Sequence, residues 1–213
     1  MIRYLLFDLD NTLYSSRFGL QKDVGHRIWE QTAAFLGVTP DEARQLRTTW
    51  AQFGTNLEWL IAEKGFSDCE AYLAAIHPPD EADTLPPDPG LRAFLSGIAL
   101  PKAILTNAPS EHADLILGKL GISDLFTRIF DVRLITNNGQ CTYKGKPEPE
   151  FYIRALNALE LRAEESLFID DFPVNVEAFI ALGGRALLFD ENDKHADSPL
   201  PRIRDLRELT QYL

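Results

Sequence analysis

From residue 102 to residue 189 the chain alternates short apolar runs with amphipathic stretches, and this alternation narrows the fold more than any other feature. Residues 102–106, 129–131, 166–170 and 185–189 read as strands. Residues 111–120, 147–159 and 174–182 read as helices between them, with Gly121 and Gly183 placed where helices end. Strands and helices in turn imply a parallel sheet covered on both faces. One strand stands apart, at residues 2–8, with a long strandless stretch before the others. That stretch includes residues 18–36 and then Thr39-Pro40-Asp41-Glu42, where Thr39 can cap, Pro40 suits the first helical position and Glu42 completes a capping box. Residues 56–64 have helical spacing, and Ser67-Asp68-Cys69-Glu70 repeats the box. The expected architecture is an α/β core, residues 1–14 and 87–213, with a helical insertion and its connector at residues 15–86. The connector, residues 77–90, is rich in proline and acid, and residues 202–213 read as a closing helix.

The isolated first strand ends in Phe7-Asp8-Leu9-Asp10-Asn11-Thr12. Residues i and i+2 of a strand point to the same face, so Asp8 and Asp10 emerge together where the strand stops. Two carboxylates so placed call for a cation between them, a shared proton, or both. Polar residues end two more strands, as Thr106-Asn107 and Asp170-Asp171, and Lys146 precedes a helix in Lys146-Pro147-Glu148-Pro149. In open parallel sheets ligands bind outside the carboxyl ends of the strands, where these residues fall.

The formal net charge of -11 argues against nucleic acid or an anionic membrane as partner, since both are polyanions. It leaves room for a small phosphorylated substrate if a metal and a few cations offset the local field. Cys69 and Cys141 are the two cysteines, with neither disulfide nor zinc spacing, and suit a reducing compartment. No leader pattern and no apolar run long enough for a membrane helix is visible, so a cytoplasmic protein is expected, monomeric or homodimeric. His26, His77, His112 and His195 show no mutual ligand spacing and read as surface or core residues.

Taken together and in order, the four segments around Asp8, Thr106, Lys146 and Asp170 resemble the haloacid dehalogenase superfamily of phosphohydrolases. The resemblance implies a Rossmann-like core, a bound Mg²⁺ and an aspartyl-phosphate intermediate. Asp8 would be the nucleophile, and Asp10 the general acid and then base. Asp8, the Asp10 carbonyl and the acidic pair would hold Mg²⁺, with Asp171 favoured over Asp170 as the direct ligand. Thr106, Asn107 and Lys146 would hold the transferred phosphoryl oxygens. A carboxylate at Asp10 favours a phosphatase over a dehalogenase, because an alcohol leaving group needs a proton and a halide does not. A non-catalytic binding protein on the same fold would have no use for Asp10.

The insertion occupies the place of a substrate-selecting cap in this superfamily. Asn11-Thr12-Leu13-Tyr14-Ser15-Ser16, Gly19-Leu20, and Phe53-Gly54-Thr55 with Leu57 resemble the pyrimidine 5′-nucleotidase branch. On that reading Phe53 stacks on a base and Thr55 or Asn56 reads its polar edge. Trp29, Trp50, Phe53 and Trp59 equally suit the insertion's own core. The expected activity is hydrolysis of pyrimidine nucleoside 5′-monophosphates, with another small ester, a sugar phosphate or phosphoglycolate, as the alternative.

Overall fold

The computed structural model describes residues 1–47 and 53–213. Its centre is a parallel sheet of six strands: β1 (Tyr4–Phe7), β2 (Lys102–Leu105), β3 (Arg128–Phe130), β6 (Ser166–Asp170), β7 (Arg185–Phe189) and β8 (Arg202–Ile203), in the order β3-β2-β1-β6-β7-β8. β1 pairs with β2 on one side (Leu6 opposite Ala103) and with β6 on the other (Leu6 opposite Phe168). The chain therefore runs outward from β1 in one direction and later returns to build outward in the other. Such a reversal leaves a crevice at the carboxyl ends of the two strands that flank it, here β1 and β6.

Strand periodicity sets the two cores. Leu5, Phe7, Ile104, Leu167, Ile169 and Leu187 face one side, where they meet α5 (Pro89–Ser96) and α6 (Ser110–Leu120) through Leu95, Ile116 and Leu117. Leu6, Ala103, Leu105, Phe168, Ala186 and Leu188 face the other, against α7 (Pro149–Ala158) and α8 (Pro173–Ala181) through Phe151, Tyr152 and Phe179. Every residue of β1 and β2 is buried, as strands covered on both faces require.

Between β1 and β2 lie α1 (Leu20–Leu36), α2 (Pro40–Leu46), α3 (Asn56–Lys64) and α4 (Cys69–Ile76). Thr39 forms the expected capping box with Glu42, and Pro40 opens α2. The Ser67–Glu70 box does not form. Asp68 is the cap residue and makes no side-chain cap bond, while Glu70 is taken by Arg133 (2.7 Å) and the Tyr143 hydroxyl (2.8 Å). Trp59 and Leu60 are buried with Tyr72, Leu73 and Ile76, and Trp29 with Ala33 and Ala43, so both tryptophans are core of the insertion. Phe53 packs against the edge of the first cluster, and Trp50 lies outside the described residues.

Three further elements depart from the sequence reading. α5 begins inside the expected connector, with Asp88 capping Leu91 N (2.8 Å) and Pro89 at the first helical position. The expected closing helix is instead β8, paired to β7, followed by a 3₁₀ turn at Leu206–Gln211; Ile203 is wanted by the sheet core. A two-stranded hairpin, β4 (Thr136–Asn137) with β5 (Gln140–Cys141), turns on Asn138 and Gly139, both at positive φ.

Candidate active site

The carboxyl ends of β1, β2 and β6 deliver Asp8, Thr106 and Asp170 to the crevice, and the loop before α7 brings Lys146 to them. Lys146 is buried, and its Nζ lies 2.6 Å from Asp8 Oδ1 and 2.7 Å from Asp170 Oδ2. Burial alone would lower its pKa, but the two carboxylates outweigh that and hold the ammonium charged. Thr12 donates to Asp8 Oδ2 at 3.0 Å, so each oxygen of Asp8 has a fixed donor. Burial, opposed by Lys146 and aided by Asp170, Asp171 and Asp10, still raises the pKa of Asp8.

Lys146 is aimed by its backbone. Asn107 donates its Nδ2 to the Lys146 carbonyl (2.8 Å) and accepts from the Lys146 N–H (2.6 Å). The neighbouring position must be glycine, because a Cβ on Gly145 would sit 2.1 Å from Asn107 Oδ1. Asn107 thus clamps the lysine loop through its side chain. Thr106 is buried at the end of β2, and its Oγ1 accepts from Ala108 N–H (3.0 Å), leaving the hydroxyl hydrogen to donate.

The two acids after β6 differ in what they hold. Asp170 is fully buried and receives Lys146, Asn175 Nδ2 on both oxygens (3.0 Å each) and the Phe172 N–H (2.8 Å). Asp171 is half-buried, and its Oδ2 accepts from Asn11 Nδ2 at 3.3 Å. Burial and the charge of Asp170, against Lys146, push Asp171 up to about 7. Ligand oxygens of Asp8, Asp170 and Asp171 lie within 4.8 Å of one another. An all-oxygen set of surplus negative charge suits a hard divalent cation such as Mg²⁺, and Asp171 has the most coordination to give.

Asp10 turns to a different set of groups. The Tyr14 hydroxyl (2.5 Å) and His112 Nε2 (2.9 Å) both reach its Oδ1. Burial raises the Asp10 pKa, but the charge and hydrogen bond of His112 and the bond from Tyr14 overturn that and hold it well below the carboxylate range. His112 in turn sits 2.5 Å from Glu81 Oε1 through Nδ1. Sequence spacing gave no sign of this pair, since 31 residues separate the two and only the packing of α6 against the connector joins them.

Two of the residues expected to read a base, Asn56 and Thr55, form hydrogen bonds within the insertion. Asn56 is buried, its Nδ2 donating to Thr32 Oγ1 (2.8 Å) and Tyr72 OH (3.1 Å) and its Oδ1 accepting from Arg47 (3.3 Å). Thr55 caps α3 by accepting from Glu58 N–H (3.1 Å). Asn56 has its donors and acceptor engaged inside the insertion, whereas the half-buried Thr55 keeps its hydroxyl hydrogen to donate. Their loop nonetheless abuts the site, since a Cβ on Gly54 would fall 2.4 Å from the Lys146 carbonyl.

Comparison with known proteins agrees with this geometry. The family model for haloacid dehalogenase-like hydrolases matches residues 2–183, and the chain belongs to that family. It is 30% identical to phosphate metabolism protein 8 of Saccharomyces cerevisiae over 85% of its own length, and spans 59% of that protein. It is 25% identical to hexitol phosphatase A of Escherichia coli, covering 94% of this chain and 87% of that one. It is 29% identical to a phosphoglycolate phosphatase of Pectobacterium atrosepticum, over 87% and 79%. A subfamily IA hydrolase structure from Geobacter sulfurreducens superposes with a TM-score of 0.59 at 20% identity, over 100% of this chain and 96% of that one, which speaks for the fold.

Proposed function

We propose that the protein is a Mg²⁺-dependent phosphomonoesterase that works through a phosphoryl group carried on Asp8. The observation that carries the reading is the division between two carboxylates two residues apart. Asp8 is held by Lys146 and Thr12 beside the acidic cluster, while among the described residues Asp10 is held through Oδ1, with Oδ2 left for another atom.

The steps follow from those positions. An Asp8 oxygen attacks phosphorus as the bond from phosphorus to the leaving oxygen breaks, and Asp10 gives that oxygen its proton. Asp10, now a carboxylate, takes a proton from water as the water attacks the acyl phosphate, which frees phosphate and restores Asp8. Asp10 is a base at neutral pH in the free protein, which suits the second step. A dianionic ester arriving beside it raises its pKa, as like charges do, which suits the first. Thr106 and Lys146 face the phosphoryl oxygens. Mg²⁺ held by Asp8, Asp171 and the Asp10 carbonyl, with Asp170 behind them, would offset the charge of both acids and ester.

For the substrate we propose pyrimidine nucleoside 5′-monophosphates, UMP and CMP, from the resemblance of residues 11–16, Gly19-Leu20 and Phe53-Gly54-Thr55 with Leu57 to that branch, with the helical insertion serving as cap. Phe53 remains half-buried at the loop beside Lys146 and can meet a base. A sugar phosphate or phosphoglycolate is the second reading. The burial of Asn56 favours it, because a base stacked with fewer hydrogen bonds is less well discriminated. Phosphate release with Mg²⁺ from UMP, CMP, purine nucleotides, hexitol phosphates and phosphoglycolate separates the two. Preference for UMP or CMP supports the first, and preference for a non-nucleotide ester overturns it.

A further inference from the structure

The hydrogen bonds around Asp10 continue away from the crevice. His112, in the first turn of α6, is buried, with Asp10 Oδ1 on Nε2 and Glu81 Oε1 on Nδ1. With a carboxyl oxygen on each ring nitrogen, the ring links the two acids, donating to Asp10 from Nε2. Glu81, from the connector, also accepts from Arg27 Nη2 of α1 (3.0 Å), and His77 Nδ1, just past α4, lies 3.2 Å from it. The His77 ring lies against that of His112, with centroids 4.3 Å apart. Arg27 is fixed by a second bond, from Nε to the Ile76 carbonyl (2.7 Å).

His77, Glu81 and His112 have the composition of a transition-metal site. The geometry is instead that of a hydrogen-bonded chain, because both nitrogens of His112 already face carboxylates and Glu81 is shared with Arg27.

We propose that His112, seated by Glu81, is a positioning residue that decides which oxygen of Asp10 meets the leaving group. Two donors on Oδ1 make it the carbonyl-like end of the acid. The acidic proton then resides on Oδ2, the oxygen turned to the leaving alcohol. Without His112, Tyr14 is the side chain left holding the carboxyl among the described residues, and the group can rotate and present the wrong oxygen. This rests on the phosphomonoesterase reading, so the test must separate the two.

The measurement is kcat and KM with Mg²⁺ for an alkyl phosphate and for 4-nitrophenyl phosphate, in the natural protein and in H112A, H112Q, E81Q and D8N. The expected result for H112A is a loss of about 10²-fold in kcat on the alkyl ester, within the range for acid–base catalysis, and a much smaller loss on the aryl ester, with KM little changed. H112Q, whose amide can still donate to Asp10, regains part of the loss, and E81Q falls between H112A and the natural protein. Equal losses on both esters, or alkyl turnover unchanged in H112Q and E81Q, overturn the positioning role. Those two near-isosteric variants decide the matter if H112A does not fold. If D8N retains activity, or the natural protein turns over neither ester, the phosphomonoesterase reading falls and this inference with it. An inactive D8N beside an H112A indifferent to the leaving group removes the inference alone.

Discussion

Lys146 decides how the acids of this crevice coexist. Its ammonium touches Asp8 and Asp170, and His112 answers Asp10, which leaves Asp171 with an amide and no cation within bonding reach among the described residues. Burial and the charge of Asp170 accordingly raise Asp171 towards neutrality. A divalent cation that binds the folded chain here stabilises it by mass action, by about 2.7 kcal/mol at a hundredfold excess over Kd. The prediction is that Mg²⁺ raises the Tm of the natural protein and that Asp171→Asn abolishes most of the rise, as read by thermal unfolding with and without chelator. Asp8, Asp10, Lys146 and the acidic pair were legible because each stands at a short, fixed distance from a strand end or helix start. His112 and Glu81 were not, since nothing local in either residue's neighbourhood records that the fold brings them together.

At the scale of elements, local chemistry was readable where it acted alone. Thr39-Pro40-Asp41-Glu42 folds as its spacing says, whereas Ser67–Glu70 fails because Glu70 finds a stronger partner in Arg133, more than sixty residues away. The chain after Pro201 has helical composition but supplies the edge of the sheet, a tertiary demand that overrides propensity. Asn138-Gly139 is a hairpin signal whose flanks, polar and largely exposed, lack the apolar alternation that marks a strand. The lysine loop is the element on which the site depends most. Gly145→Ala would drive Asn107 off its clamp, and misplacing a reacting group by about 1 Å can cost about 10²-fold in rate. The expected outcome is a loss of that order in kcat with a near-natural denaturation midpoint; unchanged kcat would show that the clamp does not aim Lys146.

In the molecule as a whole, the order of strands about β1 brings residues 8, 106 and 170 to one crevice, and the clamped loop before α7 adds residue 146. The alternation of strands and helices foretold the parallel sheet, and the lone first strand foretold the insertion, though neither foretold how the connector would reach Asp10 through Glu81 and His112. The account stands on one chemical event, transfer of a phosphoryl group to Asp8. The direct measurement is mass spectrometry of the Asp10→Asn protein, acid-quenched after mixing with 4-nitrophenyl phosphate and Mg²⁺. The good leaving group needs little acid, and loss of the base slows hydrolysis, so the intermediate accumulates. The account predicts one phosphoryl group on the peptide bearing Asp8, and none when Asp8→Asn is added. Turnover by the natural protein with no phosphoryl group found on Asp8, or undiminished turnover by Asp8→Asn, would contradict it.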